Sequence, residues 1–197
     1  MASWFRRSPD DAGATRLYGA LVAQARAAAF YRDYGVPDSL DGRYEMLALH
    51  MVLALRRLKR HGARDGASSL AQALFDAMFA DMDRSLREIG VGDLSVGPRV
   101  KEMARGLYGR IAAYEAGIAD DGAALEQALA RNVYGTAPSP PRPTLAALAA
   151  YVRAAAERLD AVPARELGAT TLPWPAIPAL APSAPGTQAP GAVPAVG

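Results

Sequence analysis

The sequence contains no cysteine, and this absence excludes several kinds of chemistry. Disulfide bonds, cysteine nucleophiles and thiolate metal sites are ruled out, so the fold has to be stabilised by a packed core. A reducing compartment is compatible with this composition. The chain also lacks a run of about 18 consecutive apolar residues, the length that a membrane-spanning helix requires. We therefore predict no membrane-spanning segment.

Catalytic motifs are scarce as well. The two histidines, His50 and His61, are too far apart for an HxxxH or HExxH pair that holds a metal. The segment GVGDLS lacks the lysine and the preceding strand of a phosphate-binding loop. Asp76 and Asp83 share a helix face, but the adjacent acidic pairs of magnesium-dependent all-α isoprenoid enzymes are missing. We predict no catalytic residue, metal or cofactor, and keep an isoprenoid or quinone enzyme as an alternative.

The charge balance favours no particular partner. Lys and Arg number 22 against 20 Asp and Glu, which gives a formal net charge of +2. This small excess predicts no DNA-binding role. The start of the chain, MASWFRRSPDD, has arginines without an apolar run behind them, so it is not a secretory signal. Its residues 4–7, WFRR, predict either a hydrophobic clip onto the domain or a weak contact with an anionic membrane, and the latter would make the protein a membrane-surface adaptor.

The clearest pattern that is present lies in the middle of the chain. Apolar residues recur there at steps of three and four, which places them on one face of a helix. These residues are Leu70, Ala71, Leu74, Phe75, Met78, Phe79, Met82, Leu86 and Ile89. Gly90 predicts the end of this helix by a Schellman motif, in which Val91 packs back on Leu86.

Similar stripes predict the remaining helices. The first helix runs from about Thr15 to Asp33, and the second from a cap at Asp38 or Ser39 to Leu58. The helix after the central one has caps at Asp93 and Ser95 and Pro98 in its first turn, and it ends at about Gly117. The last two helices run from Leu125 to Val133 and from Pro143 to Leu159. We predict an all-α fold, a single domain of about six mostly antiparallel helices at 15–160, preceded by a short segment at 1–14. Residues 161–197 are rich in Pro, Ala and Gly and are predicted to be a disordered tail anchored only by Trp174.

Basic residues cluster at the end of the second predicted helix. They are Arg56, Arg57, Lys59, Arg60, His61 and Arg64. Cations are favourable at a helix C-terminus, which explains most of the cluster. Because the number exceeds what capping needs, a contact with RNA phosphates, anionic lipid or an acidic partner is the alternative.

Three blocks of the sequence carry a family resemblance. They are VPDSLDGRYEMLALHMVLALRRL at 36–58, LAQALFDAMFADMDRSLREIGVGDLSVGPRVKEMARGLYGR at 70–110 and ALARNVYG at 128–135. With these blocks the chain resembles the ubiquinol-cytochrome c chaperone family, whose mitochondrial members help to assemble respiratory complex III. The resemblance implies a non-enzymatic chaperone that binds newly made cytochrome b and promotes assembly of the ubiquinol-cytochrome c reductase.

The resemblance also implies partners and a location. Cytochrome b is the expected client, and the ribosome and a small protein partner are further contacts that the resemblance implies. An anionic membrane surface is expected from the WFRR segment and the basic cluster. The start of the chain resembles no transit peptide. This favours a bacterial-type member in the cytoplasm, peripheral at the inner face of the cytoplasmic membrane.

We predict a partner-binding set from the polar residues of the family-like blocks and from the basic cluster at the end of the second predicted helix. A groove between apolar helices would take an amphipathic client segment, acidic residues would meet basic loops of cytochrome b, and the arginines would meet RNA or acidic lipid. Some members have a structural alternative as caps or ion pairs, and His50 as a packing residue. The set is Asp38, Asp41, Arg43, Glu45, His50, Arg56, Arg57, Arg60, Asp76, Asp81, Asp83, Arg84 and Asp93.

Overall fold

A computed structural model describes residues 9–60, 67–120 and 122–180. Within those ranges the chain forms seven α-helices and one short 3-10 helix, without a strand. The α-helices are α1 (Pro9–Ala25), α2 (Ala28–Arg32), α3 (Leu40–Arg60), α4 (Ala67–Glu88), α5 (Asp93–Ala119), α6 (Ala124–Val133) and α7 (Arg142–Asp160), and the 3-10 helix is Ala164–Glu166. The all-α prediction is confirmed. No described helix combines the length and the apolar composition that a bilayer crossing requires.

Helix α3 is the centre of the bundle. It contacts α1, α4, α5, α6 and α7, and the segment from Glu45 to Ala54 is buried on all sides. A helix surrounded in this way needs apolar residues around its whole circumference, and α3 supplies them in Met46, Leu49 and Leu53.

The first predicted helix is divided in two and starts earlier than expected. Helix α1 begins at Pro9, and Ala27 leaves the helical conformation with φ −57° and ψ 123°. The hydroxyl of Tyr31 donates to the carbonyl oxygen of Ala25 at 2.9 Å, which holds the break closed. The new direction buries Phe30 completely, so core packing overrides the helical preference of the alanines.

The connection between α4 and α5 follows the predicted Schellman geometry. Gly90 has φ +86°, and the Val91 amide donates to the carbonyl oxygen of Leu86 at 3.0 Å. The predicted caps of the next helix are wrong. Helix α5 starts at Asp93, no side chain caps it, and Pro98 lies inside the helix rather than in its first turn. The Asp93 carboxylate is instead paired with Arg87, across the turn.

The chain from 161 to 180 packs against the helices, so the prediction that the disordered tail begins at 161 is wrong for this part. Leu167 and Leu172 are buried, and the Trp174 ring lies 5.2 Å from the His50 ring, centroid to centroid. The Tyr34 hydroxyl donates to the carbonyl oxygen of Pro178 at 2.7 Å. An extended proline-rich segment makes no internal hydrogen bonds, so its backbone carbonyl oxygens can accept hydrogen bonds from the helices. Residues 181–197 and the WFRR segment at 4–7 lie outside the described residues.

Candidate functional site

A surface groove lies along the first half of α3, between α3 and α5. We call it the α3–α5 groove. It has a volume of about 550 Å³, and a smaller hollow of about 140 Å³ towards α1 and α4 shares its wall. The shared wall consists of Leu40, Tyr44, Leu86 and Met103. The end of α6 and the residues that follow it, at 131–136, form the other side of the α3–α5 groove.

An ion pair between Glu45 of α3 and Arg110 of α5 forms the floor of the groove. The Glu45 residue is only 8% exposed. Nε of Arg110 donates to Oε2 of Glu45 at 2.6 Å, and Nη2 donates to Oε1, so the contact is bidentate. Burial raises the pKa of Glu45, while the Arg110 guanidinium opposes that rise. The pair fixes the distance between the two helices that line the groove.

Tyr44 connects the same two helices above this ion pair. Its hydroxyl donates to the carbonyl oxygen of Met103 at 3.0 Å, and the Arg110 guanidinium lies 5.4 Å from the centre of its ring. Burial raises the pKa of Tyr44 to about 12, so the hydroxyl remains a donor at physiological pH. Tyr44 therefore presents a fixed aromatic wall to the groove.

Several predicted partner-binding residues meet at the rim of the groove. Asp41 and Glu45 line the main groove, while Arg43 and Asp81 line the adjoining hollow. Asp81 accepts a hydrogen bond from the Tyr18 hydroxyl at 2.8 Å. The structure thus brings together residues from two separate blocks of the sequence.

Other predicted residues form structural pairs. Arg43 pairs with Asp38 at 2.6 Å and Arg84 with Asp81 at 3.5 Å, both on the surface. Such exposed pairs contribute about 0 to 1 kcal/mol. Arg87 bridges two further predicted residues, Asp83 of α4 and Asp93 of α5.

The alternative of a magnesium-dependent enzyme relied on Asp76 and Asp83. Asp76 is exposed and accepts a hydrogen bond from Gln72 at 2.9 Å, and Asp83 is paired with Arg87. Among the described residues, no group of three or more His, Cys, Asp or Glu side chains is arranged to hold a metal ion. Neither aspartate therefore belongs to a group of described residues that could hold a metal ion.

The basic cluster at the end of α3 is largely bound within the domain. Arg56 and Arg60 both donate to Asp160 of α7, at 2.9 and 2.6 Å. Arg57 is buried, and its Nε donates to the carbonyl oxygens of Leu159 and Val162. A direct partner contact by Arg57 is therefore a wrong prediction, because its guanidinium holds the end of α7. His61 and Arg64 lie outside the described residues.

The prediction that His50 contacts a partner is also wrong, because His50 is fully buried in the middle of α3. Nδ1 lies 2.7 Å from the carbonyl oxygen of Met46, and Nε2 lies 2.9 Å from the hydroxyl of Tyr151. The carbonyl only accepts, so Nδ1 carries the proton and Nε2 accepts from Tyr151. The same hydroxyl accepts from the Gln24 amide at 2.9 Å. His50 is a packing residue, and a surface partner does not reach it.

The buried histidine makes a pH-dependent contribution to stability. Burial lowers the pKa of His50 from 6.5 to about 4, so the unfolded chain binds a proton at a pH where the folded chain does not. The contribution of His50 to the free energy of unfolding is therefore fully present above pH 6.5. It decreases by about 3 kcal/mol in total as the pH falls towards 4. An NMR titration of the His50 ring, assigned with His50→Gln, checks this. A pKa near 6.5 in the folded protein would contradict it.

Sequence analysis missed four residues that shape the groove. Tyr44 and Met103 lie on apolar helix stripes, and Arg110 lies in a family-like block without a predicted role. Leu40, which is 54% exposed at the rim, belongs to no predicted set. The sequence signal that could have identified Arg110 is its position on the same helix face as Leu107 and Tyr114, where a polar residue interrupts an apolar stripe. Its partner is 65 positions away, so periodicity alone does not identify it.

Fold and groove together define the class of protein. It is an all-α domain with an open groove that combines an apolar wall, a buried ion pair and a charged rim. The chain belongs to the ubiquinol-cytochrome C chaperone family, whose sequence profile matches residues 32–174. The resemblance seen in the sequence blocks is thereby confirmed.

Individual relatives agree with this membership. The crystal structure of the Cbp3 homologue from Brucella abortus has a TM-score of 0.71 and 41% identity, covering 81% of this chain and 86% of that one. Ubiquinol-cytochrome-c reductase complex assembly factor 1 of Xenopus laevis is 25% identical over 154 residues, 78% of this chain and 76% of the relative. The human factor of that name is 27% identical over 154 residues, which span 50% of its length.

Proposed function

We propose that this protein is an assembly chaperone of ubiquinol-cytochrome c reductase. It binds newly made cytochrome b in the α3–α5 groove and holds it until it is incorporated into the complex. Family membership supports the assembly role, since the relatives are named as assembly factors of this complex. The proposal assigns the chain no catalytic residue and no cofactor.

The observation that carries the proposal is the composition of the groove. Leu40, Tyr44 and Met103 offer an apolar wall to one face of a client helix. The carboxylates of Asp41 and Glu102 lie at the same rim, and neither forms an ion pair within the described chain. Cytoplasmic loops of membrane proteins are enriched in Lys and Arg. An amphipathic segment of cytochrome b with a basic flank therefore complements the groove.

The proposed location follows from the client. Cytochrome b is inserted into the cytoplasmic membrane, so the chaperone would act in the cytoplasm and at the inner face of that membrane. Contacts with the ribosome and with a small protein partner belong to the same proposal. The exposed cations best suited to phosphate contact are on α5, because those at the end of α3 are bound within the domain.

Site-specific photo-crosslinking tests the groove directly. A photoreactive phenylalanine analogue is placed at Leu40, at the rim of the groove, or at Ala146, which is exposed on α7 outside it. In the host organism we expect an adduct with cytochrome b from position 40 and none from position 146. Equal labelling from both positions, or no cytochrome b adduct from position 40, would contradict the proposed site.

A further inference from the structure

One face of α5 presents an exposed line of apolar and basic side chains. Leu94, Lys101, Arg105 and Tyr108 follow one another at steps of seven, four and three, which places them on the same side of the helix. We call this line the α5 ridge. It extends over about 20 Å, given a rise of about 1.5 Å per residue.

Most of the ridge lacks a structural partner in the described part of the chain. The exception is Tyr108, whose ring lies 5.7 Å from the Phe75 ring of α4, centroid to centroid. Leu94 is 94% exposed and Tyr108 is 63% exposed, while Lys101 and Arg105 are exposed and form no ion pair there. The opposite side of α5 carries the residues that do pack, among them Val96 and Leu107. Folding therefore does not account for Leu94, Lys101 and Arg105, while the Tyr108 ring packs on Phe75 and keeps most of its surface exposed.

The charge on the ridge is of one sign. Its other exposed positions, Gly97, Pro98 and Ala112, carry no charge. Glu102 lies to one side, in the wall of the α3–α5 groove. A basic stretch with an aliphatic residue at one end and a tyrosine at the other matches the headgroup region of an anionic bilayer. Tyrosine is a residue enriched at that interface.

The shape of this surface favours a membrane over a protein partner. Between Leu94 and Arg105 the neighbouring positions Gly97 and Pro98 are small and exposed, so this part of the line projects from the domain. Tyr108, at the far end, borders a groove beside Phe75 of α4. A projecting line offers a partner helix little to enclose it, whereas a flat, deformable lipid surface accommodates it. The cations would meet lipid phosphates, and Leu94 would enter the boundary with the acyl chains.

We infer that the α5 ridge is a docking surface for anionic membranes. This inference goes beyond the client groove and refines the peripheral location in the proposed function. The groove uses Glu102, Met103 and Arg110 on another side of α5, so lipid and client could be bound together. A failure of lipid binding would leave the crosslinking result at position 40 unaffected.

Vesicle flotation with the full chain tests the inference. The vesicles are phosphatidylcholine alone, or phosphatidylcholine with one third phosphatidylglycerol. We expect binding to the anionic vesicles only, reduced at high salt, and weakened about tenfold or more in Lys101→Glu/Arg105→Glu. The matched control, Arg26→Glu/Arg142→Glu, makes the same charge change at exposed positions off the ridge and should bind much more strongly than the ridge variant. Circular dichroism confirms that each variant is folded.

A second variant separates the apolar contact from the charge. Leu94→Ser should weaken binding several-fold while leaving the salt dependence in place. The inference is overturned if the wild-type chain does not bind anionic vesicles, which would favour a protein partner for the ridge. It is equally overturned if the ridge variant binds like the wild type, or if deletion of residues 1–8 abolishes binding while the ridge variant retains it.

Discussion

Replacement of Arg110 by methionine is expected to lower the free energy of unfolding by about 3 kcal/mol at neutral pH. Methionine keeps most of the apolar contact of the side chain but leaves the Glu45 carboxylate buried without its bidentate partner. Without the guanidinium, burial and the nearby Asp41 carboxylate both act to raise the pKa of Glu45 further above that of the unfolded chain. The folded state then binds more protons than the unfolded state, so the variant loses stability as the pH rises.

Urea unfolding of the variant at pH 5 and pH 7.5 measures both effects. The deficit relative to the wild type should be larger at the higher pH. The double variant Glu45→Leu/Arg110→Met removes the unpaired charge and should recover most of the lost stability. The prediction is contradicted if Arg110→Met has wild-type stability at pH 7.5, or if the double variant is no more stable than the single one. Either result would show that the ion pair at the floor of the groove does not stabilise the fold.

Replacement of Gly42 by alanine is expected to destabilise the protein by about 2 to 3 kcal/mol. A Cβ atom at this position would lie 2.0 Å from the carbonyl oxygen of Pro37, which is backbone and has little freedom to move. The clash outweighs the gain of about 1 kcal/mol that alanine normally gives over glycine in a helix. The glycine lets the chain before α3 pass close to its first turn, which places Leu40 and Asp41 at the rim of the groove.

Gly19→Ala is the matched control for this prediction. Gly19 is an exposed residue inside α1, and nothing lies within 4 Å of an added Cβ atom. The control should be unchanged or slightly stabilised. Thermal unfolding of both variants decides the matter. If the two alanine variants melt at the same temperature, the close approach at Pro37 is not a constraint.

Several helix ends that depend on local sequence were predicted well, although the caps of α5 were not. The end of α4 follows from Gly90, because a left-handed residue there satisfies the last helical carbonyls. The start of α3 follows from Ser39, whose hydroxyl accepts from the Gly42 amide at 3.2 Å. Pro143 near the start of α7 was predicted for the same kind of reason.

The features that sequence analysis missed depend on tertiary contacts. No residue in the alanine run at 27–29 breaks a helix, yet the chain turns there to bury Phe30. The segment after α7 looks unable to fold by composition, but it finds hydrogen-bond donors in Tyr34 and Arg16, which are distant in sequence. Such contacts carry no local signature.

The candidate site shows the same division. Asp41 and Asp81 were predicted from their residue type and their place in the family-like blocks, and both lie at the groove or its adjoining hollow. His50, predicted on the same grounds, and Arg57, predicted from the basic cluster at the helix end, proved to be buried. A polar residue on a helix that is enclosed on all sides has no solvent-facing side, and a periodicity analysis of one helix does not reveal how many neighbours it has.

Deletion of the gene tests the central claim most directly. In the host organism, cytochrome b protein and ubiquinol-cytochrome c reductase activity are measured in the deletion strain, with the restored gene as the control. We predict that both fall while the cytochrome b transcript stays level, because the chaperone acts on the newly made protein. Unchanged cytochrome b and unchanged reductase activity would contradict the assembly role.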